Sequence, residues 1–240
     1  MAEAALWGGV AASSLLLGAV IAYLFRPRAN VTAIVMAVGS GLLLGSVAYE
    51  LVEEALETQS LAWVALLLLV GAGVFALGDW LIDRRGGSGR KDSSGKQKEG
   101  SPLAIVLGSI LDGIPESFVL GLTVLQGGVS VGLLFAIGLS NLPEGMSSSS
   151  GLDAAGWRRR KVVWMWLAVI AVSALSASLG YLLLDPDSAR TGALVQAFAA
   201  GALLAMVADT MLPEAYAQEG VLTGLYVAVG FAGAVGLNAL

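Results

Sequence analysis

The chain has 240 residues, 57% of them apolar and only 13% charged, with a mean hydropathy of +0.81 and a formal net charge of −5. That charged share is about half of the ~25% usual in soluble domains, so a single integral membrane domain over residues 1–240 is expected, with membrane lipid and no nucleic acid among its partners. Cysteine and histidine are both absent, which excludes disulfides, thiolate metal sites and thiol catalysis, and removes the commonest metal ligand and general base.

A membrane span needs about 20 apolar residues. The first candidate is Trp7–Phe25; Glu3 precedes it and no basic residue does, so a cleavable signal peptide is not expected. The second, Val31–Leu51, runs into Glu50, Glu53, Glu54 and Glu57. The third, Leu61–Leu81, closes on Asp79 and Asp83. Residues 84–101 are rich in Gly, Ser, Lys and Arg and read as a flexible cytoplasmic loop. Five more candidates follow: Pro102–Leu125, Val129–Ser149, Val162–Leu184, Thr191–Leu212 and Val221–Leu240. The expected fold is therefore all-α with eight transmembrane helices. Trp7, Trp63, Trp80, Trp157 and Trp164 fall near span ends, as an interfacial aromatic belt requires.

Basic residues fix an orientation. Arg26 and Arg28 follow the first span. Arg84, Arg85, Arg90, Lys91, Lys96 and Lys98 follow the third, and Arg158, Arg159, Arg160 and Lys161 follow the fifth. Of thirteen Lys and Arg, only Arg190 lies elsewhere. With eight spans these loops share one side, and the positive-inside rule makes that side cytoplasmic, leaving both termini outside the cell membrane.

Two internal matches stand out. Gly39–Ala48 parallels Ala199–Ala208 at an offset of 160, and the match continues at Glu54-Ala55 against Glu214-Ala215. The second and seventh spans are an odd number of crossings apart, so the copies run in opposite directions, the inverted-repeat signature of secondary transporters. The fourth and fifth spans match at an offset of 28: Asp112 with Ser140, Pro115 with Pro143, Glu116 with Glu144.

That second match carries the chemistry. Residues four apart share a helix face, so Asp112 and Glu116 project together, as do Ser140 and Glu144, with Asn141 one step round. Each proline frees the carbonyl four residues earlier, on Leu111 and Leu139, and such groups persist at membrane depth only where a neighbour, water or an ion satisfies them. A charge at the bilayer centre costs about 2.5–3.5 kcal/mol on insertion scales, and no Lys or Arg lies within these spans to offset it. A divalent cation, or protons alternating with one, resolves the repulsion. Protonation and helix–helix bonding explain one such acid well and three acids with two prolines poorly. Glu50 and Glu54 suit an entrance for the cation, and Asp209 and Glu214 an exit. Ser147 to Ser150 read as residues that permit close packing.

These residues resemble the ZRT/IRT-like (ZIP) metal transporters. The resemblance spans nearly the whole chain: eight helices, a long cytoplasmic loop after the third, Pro-Glu motifs on the fourth and fifth, and a Met211-Leu212-Pro213-Glu214-Ala215 ending to the seventh. It implies a carrier of divalent metal ions, with the metal as transported substrate and no prosthetic cofactor. It also implies Glu116 and Glu144 as central ligands completed by Asp112 and Asn141, and pairing as homodimers. The family's usual His-Asn-x-Pro-Glu-Gly reads Asp112-Gly113-Ile114-Pro115-Glu116-Ser117 here, and the fifth helix has Ser140 in place of its histidine. The sixth helix offers Ser173, Ser176 and Ser178 where some members carry an acid for a second metal. Oxygen-only ligands favour harder ions such as Mn²⁺, Mg²⁺ or Fe²⁺ over Zn²⁺. Competing readings are a proton-coupled carrier of another solute and a non-transporting membrane subunit. An intramembrane hydrolase is disfavoured without His or Cys.

Overall fold

The computed structural model describes residues 1–84, 102–182 and 189–239. The described residues are helical apart from short connections. In chain order the helices are α1 (Ala2–Phe25), α2 (Ala29–Thr58), α3 (Leu61–Ile82), α4 (Pro102–Gln126), α5 (Val131–Ala154), α6 (Arg159–Leu182), α7 (Arg190–Glu219) and α8 (Leu222–Asn238). The expected cytoplasmic loop lies outside the described residues from 85 to 101.

The breaks between helices have local causes. α1 ends where Arg26 turns left-handed (φ 46°) and its N–H returns to the Ala22 carbonyl. Gly127 and Gly128 take positive φ between α4 and α5, a region open to glycine at no steric cost. The Ser130 hydroxyl then accepts from the Leu133 N–H (3.0 Å) and caps α5.

Six of these helices (α1, α2, α3, α4, α6 and α7) are long and apolar enough to cross a membrane. α8 is apolar with 17 residues. α5 has the length, but Ser140, Asn141, Glu144 and Ser147–Ser149 lower its hydropathy; all six are buried against other helices. Both α2 and α7 run beyond the sequence expectation, to Thr58 and Glu219 instead of Leu51 and Leu212. Their added turns carry Glu, Ala and Leu, good helix formers despite the charge.

Each of those long helices contains a π-helical turn, Val47–Glu53 in α2 and Val207–Met211 in α7, starting 160 positions apart. Such turns mark functional positions in many helices. The pair runs antiparallel: the first part of α2 packs on Leu212–Glu219, while the far end of α2 packs on the first part of α7.

The helices sort into two bundles, α1/α4/α5/α6 and α2/α3/α7/α8. Within them, reciprocal glycines bring backbones into contact. Gly18 and Gly145 do so for α1/α5, Gly121 and Gly180 for α4/α6, Gly41 and Gly230 for α2/α8, and Gly71 and Gly201 for α3/α7. A Cβ at any of the eight would collide with a backbone carbonyl across the pair. Close backbone approach through small residues is how helices associate in lipid, where the hydrophobic effect between them is absent. The bundles meet chiefly where α2 crosses α5, with α4 against α7 beside it. Their shared apolar cluster includes Leu43, Leu120, Ile137 and Leu203. A second cluster, around Trp166 and Leu15, lies inside the first bundle, where the Trp166 indole N–H donates to Ser149 Oγ (2.9 Å).

Candidate metal site

At the middle of the first bundle α4 buries Asp112 and Glu116, one turn apart and each 1% exposed. α5 buries Ser140, Asn141 and Glu144, the last 7% exposed. Pro115 and Pro143 lie inside their helices rather than ending them. The Ser140 hydroxyl joins the two: its oxygen lies 3.3 Å from Glu116 Oε1 and 3.0 Å from the Ile137 carbonyl, two acceptors competing for one proton. From α6, Ser176 Oγ donates to the Ile114 carbonyl (2.9 Å), the residue just before Pro115. Gly39 of α2 passes this level so closely that a Cβ would sit 3.0 Å from the Ser140 Cα. The second bundle therefore lies against α5 beside the carboxylates.

Toward the C-terminal end of α7, Ser147 Oγ donates to Glu214 Oε1 (2.6 Å). Glu144, Ser147, Ser148, Met36, Met211 and Glu214 enclose a cavity of only about 10 Å³. Glu144 thus faces the Glu214 end.

The opposite end is roomier. A cavity of about 570 Å³ is lined by Glu50, Glu54, Gln126, Ser130 and Asn238 among others. Ser130 Oγ donates to Glu50 Oε2. Gln126 Nε2 donates to Glu54 Oε1 (2.9 Å) and Gln196 Nε2 to Glu54 Oε2 (3.0 Å); the same Gln196 amide also reaches Gln126 Oε1 (3.2 Å).

The five expected ligands are buried, and of the expected path residues Glu214 is buried and Glu50 and Glu54 are half-buried. Asp209 is not among them. It is exposed on the π-helical turn of α7 and lies toward Asp79 of α3. Among the described residues no three acidic side chains gather about one point. The buried polar groups are instead carboxylates in ones and twos among hydroxyls and amides.

Residues 83–238 match the family model described as ZIP Zinc transporter, a segment that contains both Pro-Glu helices. The chain belongs to the ZIP zinc transporter family. No curated protein matches it. As a ZIP protein it is a multi-pass membrane transporter of divalent metal ions rather than an enzyme, and the metal is its substrate.

Several polar groups of this ZIP chain escape a reading by motif. Ser147 bonds Glu214 directly, beyond the packing role its serine run suggests. Gln196 is 1% exposed in an apolar helix, and together with Gln126 it holds Glu54 from two helices. Gln196 is a lone amide in an apolar run, Ser147 opens a run of serines and Gln126 ends α4, so each is marked by its polarity alone. What it bonds to lies 67 to 142 positions away, and no local pattern carries that.

Proposed function

We propose that this ZIP protein moves divalent cations such as zinc, iron or manganese toward the cytoplasm by alternating access. Eight helices span the membrane as an inverted repeat, with both termini outside. Asp112, Glu116, Ser140, Asn141 and Glu144 hold the ion. Glu50 and Glu54 form its outer approach, and Glu214 its inner exit. The observation that carries this is the burial of three carboxylates, an amide and a hydroxyl on two proline-bearing helices of an apolar bundle. Intramembrane acids that face a bundle interior are costly to maintain and mark ion pathways. The antiparallel α2 and α7, their π-helical turns and the mirrored glycine contacts support the inverted repeat. The division into two bundles that meet beside the site supplies the moving parts.

The ligands are all oxygens. That weakens the preference for zinc that imidazole or thiolate would give, and suits Mn²⁺ and Fe²⁺. Uptake of Mn²⁺, Fe²⁺, Zn²⁺, Co²⁺ and Cd²⁺ into proteoliposomes, each with Glu116→Ala alongside, tests the reading. Saturable uptake that disappears in the folded variant is expected, with manganese or iron at least equal to zinc. A strict zinc preference would overturn the selectivity argument. Absence of uptake for every ion would overturn the transport path through this site.

A further inference from the structure

Among the described residues, hydrogen bonds between polar side chains join the two bundles on either side of the central carboxylates. At one end Gln126 of α4 donates to Glu54 of α2, and Ser130 at the start of α5 donates to Glu50 of α2. At the other end Ser147 of α5 donates to Glu214 of α7. In these bonds to carboxylates the donor belongs to α1/α4/α5/α6 and the carboxylate to α2/α3/α7/α8; the Gln196 amide of α7 in turn donates across to Gln126 Oε1 of α4. Glu54 and Glu214 are also 160 positions apart, the same offset that relates the π-helical turns just before them. They are equivalent residues of the two repeats, placed at opposite ends by the antiparallel run of α2 and α7.

We infer that Glu54 and Glu214 are matched latches between the bundles, and that Gln126, Gln196 and Ser147 are positioning residues that set which latch is closed. The inference rests on the alternating-access reading above and adds to it the residues that hold each side shut. Opening the outer route separates Gln126 from Glu54; opening the inner route separates Ser147 from Glu214. Hydrogen bonds to a carboxylate are stronger than neutral ones, and a donor or acceptor left buried without a replacement is penalised further. Water reaching the opened end supplies that replacement, so each latch can release only toward the side that has become wet. Gln196 lies on the same bundle as Glu54 and bridges as well, through Gln126 of α4. It holds the second carboxylate oxygen (3.0 Å) and steadies the Gln126 amide (3.2 Å), which keeps Glu54 aimed across the interface. Glu50 reinforces that end, where its carboxylate meets the start of α5 and the partial positive charge of a helix N-terminus. The Glu214 end has the smaller cavity, and a hydroxyl rather than an amide donates there from across the interface.

The absence of cysteine gives a clean assay. Single cysteines at Thr123, which lines the larger cavity, and at Ser148, which lines the smaller, report access to each end by their rate of maleimide labelling in metal-free purified protein. Gln126→Ala is expected to raise labelling at position 123 roughly tenfold and to lower it at 148, because releasing one latch shifts the population toward the state that keeps the other. Ser147→Ala is expected to do the reverse, and the two together to return the ratio near its starting value. The fall at the distant cysteine is the response that local loosening beside the mutation does not produce. Gln126→Asn, which shortens the reach but keeps the amide, should act as Gln126→Ala does, and serves if that variant fails to fold. Unchanged rates, or rates that rise together at both ends, would overturn the latches. Labelling is read without metal, so failed uptake with a reciprocal labelling pattern would sink the cargo assignment alone, whereas uptake without that pattern would sink the latches alone.

Discussion

α3 and α5 have nearly the same length, 22 and 24 residues, and opposite relations to the membrane. α3 is the most hydropathic of the candidate spans and buries only Val64, Gly71 and Phe75, turning Leu66, Leu69, Val70, Val74 and Leu77 outward. α5 has too many polar residues to count as a span by composition, and it buries them. Lipid accepts apolar side chains without cost and excludes polar ones, so the outward helix is the uniform one and the inward helix the mixed one. In a soluble domain the apolar face turns inward. Here the position of polarity locates the interior.

The sharpest way to break α5 is at its closest approach. Gly145 meets the backbone of Leu15, and any Cβ there collides with that carbonyl. Gly145→Leu is expected to separate α1 from α5 and abolish folded protein, read as loss of the monodisperse peak in detergent chromatography. Overpacking costs typically about 1–3 kcal/mol where side chains can yield; a backbone carbonyl cannot, so the loss should exceed that range. A folded, monodisperse Gly145→Leu protein would mean that α1 and α5 do not pack as described.

Much of this contrast is legible in the sequence, for physical reasons that also set its limits. Apolar runs of the right length place the helices, and the paired Pro-Glu motifs single out α4 and α5 because prolines and acids are both costly in such runs. Helix ends are less legible. Glu50, Glu53, Glu54 and Glu57 read as the polar edge of a span, yet helical geometry continues through Thr58, since membrane boundary and helix boundary are different constraints. Asp209 and Glu214 are five residues apart and equally acidic, but only Glu214 is turned inward, where Ser147 meets it. The π-helical turn that rotates one relative to the other is set by backbone packing, for which a single sequence has no code.

A milder test compares the two faces of α3. Phe75 is 3% exposed and belongs to the shared core. Phe75→Ala is expected to cost about 3 kcal/mol, the low end for emptying a buried aromatic site, because lipid chains can fill part of a cavity near a helix surface. The check is a fall in unfolding midpoint in detergent titration, with the slope unchanged.

Leu69, on the opposite face of the same helix, is 68% exposed. Leu69→Ala should change stability by less than about 0.5 kcal/mol, as for substitutions away from packed contacts. Lipid or detergent touches the leucine in the folded helix and touches it equally once α3 has come away from α7, so its removal cancels between the two states. The comparison with Phe75 is therefore direct: same helix, apolar side chains, and an expected difference of about 2–3 kcal/mol that arises only from which neighbour each one has. The exception would be informative. If Leu69→Ala weakens the protein, and does so more at high protein concentration than at low, the face is covered by a second copy of the chain. An effect independent of concentration would instead require that the Leu69 face of α3 be packed against other residues of the same chain.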